Sequence, residues 1–294
     1  MSEFCLVCSM TRLNFLGWKK NPQIVLAFIL AFVFCVMMSA KAIMFARTYG
    51  TIMQIFEPFV WAFSDGKSIL LASFLLIFFF MDMPFINEAT PYYLVRARRS
   101  TWIWAQILYI VAVTLIYMFF ILIVFCILCA PLSFVGNMWS ETGALLGYSG
   151  VGEKVALPAS VKIMEMSKPY KCTAAIFFLM TLYTLLAATL MMIFNLLKNK
   201  FGGVVSVFIL NLYGLLLNPD MVGRLLNIPD ILQYKSNVIT GWISPLNHAT
   251  YYMHNFGYDL LPRLWHSYLI LVVWVLLNIL IIRKLARRYQ FVFS

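Results

Sequence analysis

Charged residues are scarce in this sequence: they make up 11% of its 294 residues, while 63% are hydrophobic. A soluble domain carries about 25% charged residues, so a water-soluble globular fold is excluded. The chain could fill a large core but has too few polar residues to coat it, and most of its surface must meet lipid. A polar block long enough for a separate soluble domain is also missing, because apolar segments run from near residue 24 to residue 282. The chain therefore reads as one membrane domain, 1–294. No disulfide framework is present either. Of the six cysteines (Cys5, Cys8, Cys35, Cys126, Cys129, Cys172), all but Cys172 fall in apolar spans or in the expected cytoplasmic segment. Residues 1–21 lack an apolar stretch followed by a small-residue cleavage site, so no cleavable signal peptide is expected and the first span serves as the targeting signal.

Chemical motifs are few. Gly66, Lys67 and Ser68 end like a phosphate-cradling loop, but Trp61 stands where the required glycine should be. Cys5/Cys8 and Cys126/Cys129 have the spacing of zinc-ligand pairs, yet the two pairs are expected on opposite sides of the membrane and neither has a nearby histidine. No metal or cofactor site is expected in the chain. His248 and His254, with Asp259 downstream, could form an acid-base or metal site. Their spacing of six does not put two ligands on one helical face. The plainer reading is that Asn247, His248, Asn255 and Tyr258 satisfy one another and nearby backbone. Ionisable residues are absent from the apolar interiors, since Lys41 and Asp82 lie near span ends, so an ion-driven carrier has no relay. Polar residues within spans, Asn211 among them, could line a path or make ordinary bonds between helices.

What the sequence does contain is six apolar stretches, at 24–44, 68–85, 102–130, 172–197, 201–217 and 264–282, each close to the roughly 20 helical residues that a bilayer core needs. An all-α polytopic membrane protein with six transmembrane helices follows. The segments on one side (1–23, 82–101, 198–200 and 283–294) hold 12 Lys/Arg and 3 acids, a balance of +9. Those on the other side hold 10 and 8, a balance of +2. The positive-inside rule then places both termini in the cytoplasm of a multi-pass protein of the cell membrane. The net charge of +11 is thus mostly topogenic, and nucleic acid is not an expected partner.

Residues 1–23 interleave Phe4, Leu6, Val7, Met10, Leu13, Phe15 and Leu16 with Arg12, Lys19 and Lys20, the pattern of a helix lying on the inner leaflet. The outer segment 218–263 carries Trp242, Ile243, Leu246, Tyr251, Tyr252, Met253 and Phe256 and is too apolar for a solvated loop. It is expected to fold back, partly membrane-embedded, with Gly241 and Pro245 breaking any helix there. On the cytoplasmic side, 86–101 is longer than a stop signal requires and centres on Tyr92 and Tyr93 before Arg96, Arg98 and Arg99, which fits a docking loop for a partner protein.

Three stretches, IFEPFVWAFSDGKSILLASFLLIFFFMDMPF, YYLVRARRSTWIWAQI and SPLNHATYYMHNF, together with this layout, resemble the type-2 permease family of ABC exporters of Gram-positive bacteria. The resemblance implies the transmembrane permease subunit of an ATP-driven exporter, not an enzyme by itself. A separate cytoplasmic ABC ATPase subunit would hold ATP and Mg and grip 86–101 through Glu88, Tyr92, Tyr93, Arg96, Arg98 and Arg99. A second permease copy, identical or homologous, would complete a cargo path lined by Phe74, Phe78, Phe208, Asn211 and Leu215. Such a lining suits an amphipathic or hydrophobic cargo (peptide, lipid or drug-like) moved outward by alternating access. Two alternatives stand beside it: a membrane-integral enzyme using His248 and His254 at the outer face, and a non-transporting peptide sensor or immunity protein.

Overall fold

The computed structural model describes residues 3–64, 66–84, 98–155, 157–217, 219–257 and 259–288. The described residues are all-α apart from one two-residue parallel pair, and they are helical because an apolar segment buried or facing lipid must satisfy its own backbone. Among the described residues four helices are long and apolar enough to cross a membrane, or five if Phe201–Leu216 and Pro219–Leu225 form one bent span.

The first helix, α1 (Glu3–Leu16), lies against a later long helix through buried Met10 and Thr11. It is followed by α2 (Pro22–Tyr49), whose start combines the Asn21 cap, accepting from the Gln23 N–H, with Pro22 in the first turn. Helix α2 ends on Gly50 at φ 65°, a left-handed position that suits glycine. Strand β1 (Met53–Gln54) and the short α3 (Glu57–Ala62) lead to α4 (Gly66–Phe80).

Helix α5 (Arg99–Cys129) runs 31 residues without a break. Beyond it, β2 (Ser133–Phe134) pairs with β1, Met53 against Ser133 and Gln54 against Phe134. Three short helices, α6 (Glu141–Tyr148), α7 (Val151–Lys154) and α8 (Val161–Met166), precede α9 (Pro169–Leu196). Helix α10 (Lys200–Leu216) follows at once. Its cap is Asn199, which accepts from the Gly202 N–H at 2.7 Å, and Lys198 at φ 61° makes the reversal. Then come α11 (Pro219–Leu225), α12 (Gln233–Ile243), α13 (Pro245–Ala249) and the last long helix, α14 (Leu264–Arg288).

Helix α9 is the most buried of the long helices and packs on α14, α10, α5 and α3. Helices α2 and α14 instead turn large apolar side chains outward, among them Val25, Ile29, Val33 and Met37 on one and Leu269, Val273, Leu276 and Leu280 on the other. Such outward rows suit lipid and not water. Around α1, Trp18 donates to the Tyr109 hydroxyl at 2.8 Å and packs with Phe15, Phe28 and Phe79, fastening the amino-terminal segment to α2, α4 and α5.

The two shorter expected spans differ in form from the other four. Helix α4 has 15 residues, about 22 Å at 1.5 Å per residue, and the carbonyls just past its end, those of Met81 and Met83, accept from the side-chain amide of Asn195 of α9. Helix α10 has 17 residues and the chain then bends by 79° into α11. Gly241 does not break a helix: it lies inside α12, where a Cβ would come within 2.6 Å of Leu261 Cδ2. The glycine lets that loop approach closely, and Pro245, in the first turn of α13, makes the break.

Candidate functional site

Of the six docking-loop residues, Glu88, Tyr92, Tyr93 and Arg96 lie outside the described residues. Arg98 and Arg99 open α5. Arg98 is exposed and pairs with Glu3 at 3.5 Å, which ties the amino-terminal helix to the start of α5 only weakly, both groups being solvated. Arg99 donates from one Nη to the carbonyls of Ala286 and Arg287, both at 2.7 Å. A guanidinium thereby satisfies carbonyls that the last turn of α14 cannot pair internally. Arg98, Arg99, Ser100, Ile103, Arg283 and Arg287 line a cleft of about 220 Å³ with four guanidinium groups around it.

The expected path residues separate into an outward group and an inward one. Phe74 of α4 stacks on Phe208 of α10, centroids 5.5 Å apart, and Phe208 and Leu215 are 50% and 40% exposed while Phe74 and Phe78 are half-buried. Asn211 points the other way and is fully buried. Its Oδ1 accepts from Ser73 of α4 at 2.7 Å and from the Tyr183 hydroxyl of α9 at 3.0 Å, and its amide donates to Val207 O.

At the other end of the bundle the structure assembles two polar clusters. His248 and His254 both reach Ser267, in the first turn of α14, at 2.8 Å, and all three are buried. Burial lowers the pKa of both rings, that of His254 to about 4. Asp259 is not with them but pairs with Lys162, which sits over the Phe256 ring. Of the partners expected for Asn247, His248, Asn255 and Tyr258, the backbone ones are present and the mutual ones are not: Asn247 donates to Thr240 O and Asn255 to Asp259 O, His248 meets Trp242 O, and Tyr258 lies outside the described residues.

The second cluster centres on Glu57, the first residue of α3, which is fully buried. Its Oε1 accepts from the Ser140 N–H at 2.7 Å, and its Oε2 accepts from the Gln54 N–H at 3.0 Å and from the Ser140 hydroxyl. Burial outweighs these donors and raises its pKa to about 7. Neither Ser267 nor Glu57 stands out in the sequence. The signal available was one acid in the apolar run Ile55–Phe63 and one serine near the start of the last apolar stretch.

Comparison of the chain with protein-family models, curated proteins and solved structures finds no match.

Proposed function

We propose that the chain is the transmembrane permease subunit of an ATP-driven exporter that moves an amphipathic or hydrophobic cargo outward. The observation that carries this reading is the pairing of α4 with α10, where the half-buried Phe74 stacks on the exposed Phe208 beside Leu215, so that an apolar aromatic face stands next to the lipid-facing rows of the long helices. A face of that kind suits a second permease copy with an apolar passage between the two. Counting α4 and α10 with the four long helices gives six crossings, which puts both termini on the cytoplasmic side of the cell membrane under the positive-inside rule. In this arrangement α1 lies at the inner surface and 218–263 covers the outer end.

Coupling in this reading runs through the start of α5. A partner ATPase holding 86–101 would pull on Arg99, and through it on the end of α14, so that nucleotide state biases a two-state bundle. The enzyme alternative finds less support, because both of its histidines are buried against Ser267 and its carboxylate is held by Lys162.

The test is to purify the tagged chain in mild detergent from its host and ask whether a soluble ATPase copurifies in equal amount, with Arg96, Arg98 and Arg99 changed to glutamate as the comparison. Equal copurification that the triple variant loses is the expected result. No ATPase in either preparation overturns the reading.

A further inference from the structure

Four contacts at the outer end form one continuous chain. Trp242 O faces Nε2 of His248 at 3.0 Å, Nδ1 of His248 faces Ser267 Oγ at 2.8 Å, Ser267 Oγ faces Nε2 of His254 at 2.8 Å, and Nδ1 of His254 faces Tyr251 O at 3.1 Å. Both ends of the chain are carbonyl oxygens, which only accept. The outer nitrogen of each ring must therefore carry a hydrogen. A neutral imidazole has one N–H, so the inner nitrogens, Nδ1 of His248 and Nε2 of His254, are then both acceptors. They share a single hydroxyl between them, and that hydroxyl has one hydrogen. Four links need four hydrogens, and the three neutral side chains supply three. One link is left as lone pair against lone pair at 2.8 Å, too close for a water between the two atoms, in a site where all three side chains are buried.

We infer that His248, Ser267 and His254 form a binding site for a single proton, shared between the two rings through the serine hydroxyl. With the proton on His248, that ring donates to Ser267 and the hydroxyl donates to His254. With the proton on His254, the hydroxyl turns and donates to His248. Either arrangement fills all four links. A second proton would add an N–H where none is needed, leave the hydroxyl hydrogen without an acceptor and place two cations about one oxygen, so the site stops at one.

Burial works against the charge, and it sets where the site fills: below the ordinary imidazole range of about 6.5, not above it. Lys162, held by Asp259, opposes protonation of His254. On the remaining neighbours stand Lys67 of α4, Lys171 and Cys172 of α9, Tyr213 of α10, and Tyr234 and Lys235 of α12. Tyr251 and Tyr252 lie in the segment itself, and Arg263, His266 and Tyr268 at the start of α14. The proton decides whether α13 and the segment after it are held to α14 by a complete set of links or by an interrupted one. The proton site does not depend on the exporter reading.

The experiment is ¹⁵N NMR of the full chain with labelled imidazoles in lipid nanodiscs, titrated downward from about pH 8. The expected result is uptake of one proton by the His248/His254 pair, with a midpoint that S267A lowers by about one pH unit, a tenfold weaker site. Should S267A fail to fold, H248N serves instead. Its side-chain amide places an uncharged N–H where Nδ1 of His248 lies, and His254 is then expected to stay neutral throughout. Two protons taken up by the pair, no uptake before the wild type unfolds, an unchanged midpoint in S267A, or a titrating His254 in H248N would each overturn the proposal.

Discussion

Glu57 and Ser140, 83 residues apart, are joined twice: the serine gives the carboxylate both its backbone N–H and its hydroxyl. The same serine caps α6 by accepting from the Gly143 N–H at 3.0 Å, and a Cβ at Gly143 would stand 3.0 Å from Glu57 Oε1. The link between α2 and α4 is thus fixed to the segment after α5 by one carboxyl group and by the β1–β2 pair beside it.

That carboxyl group makes stability depend on pH with a definite sign. Its pKa is raised on folding, from 4.5 to about 7. The folded state therefore favours the protonated form, and the stabilisation is fully present below 4.5 and lost as pH rises through about 7. Thermal unfolding in detergent is expected to fall between about pH 5 and pH 8, by at most on the order of 3 kcal/mol from this group. E57Q should flatten that slope; an unchanged slope would remove Glu57 as its source.

Asn211 is expected to act as an interhelical clasp. N211A should cost about 1–2 kcal/mol, the range for polar contacts between membrane helices. Y183F added to N211A should cost little more, because the tyrosine hydroxyl has already lost its acceptor. A double-mutant cycle on thermal stability reads this directly, and additive losses would show that the two side chains act separately.

Two glycines are expected to respond to alanine very differently, one losing stability and the other staying neutral. At Gly214 a Cβ would meet Leu246 Cβ at 2.5 Å, whereas at Gly17 nothing lies within 4 Å. G214A should lose about 1–3 kcal/mol through overpacking of α10 on α13, and G17A should stay within about 0.5 kcal/mol of the parent. Denaturation midpoints of the two variants side by side decide the matter.

Removing the Arg99 side chain should loosen the end of α14. R99A leaves the carbonyls of Ala286 and Arg287 without that donor, and hydrogen exchange across 283–288 is expected to speed up several-fold while the middle of α14 is unaffected. Exchange unchanged at 283–288 would mean that the contact holds nothing in place.

The long helices were legible in the sequence because lipid-compatible runs of Leu, Ile, Phe and Val need no tertiary partner to declare themselves. Stretches expected at 102–130 and 172–197 became α5 and α9 within three residues at each end. What could not be read was whatever depends on the chain meeting itself. His248 and His254 were visible, but Ser267 gains meaning only once the segment after α13 folds back on α14. Glu57 was one acid in an apolar run until Ser140 arrived from 83 residues away. Gly241 read as a helix breaker from its residue type, whereas its place is set by the close approach of Leu261 to α12, a contact no local pattern contains. Asn211 stood between two readings, path lining and helix contact, and its partners Ser73 and Tyr183 lie on two other helices.

The carboxamide of Asn211 has a mechanical consequence. Through Ser73 and Tyr183 it fixes the azimuth of α4, α9 and α10 about their own axes, since a turn of about 100°, one residue's arc, carries Oδ1 away from both hydroxyls. These three helices are geared together, and a rearrangement that keeps the gear intact must carry them as one body, with slip confined to their contacts with α2, α5 and α14.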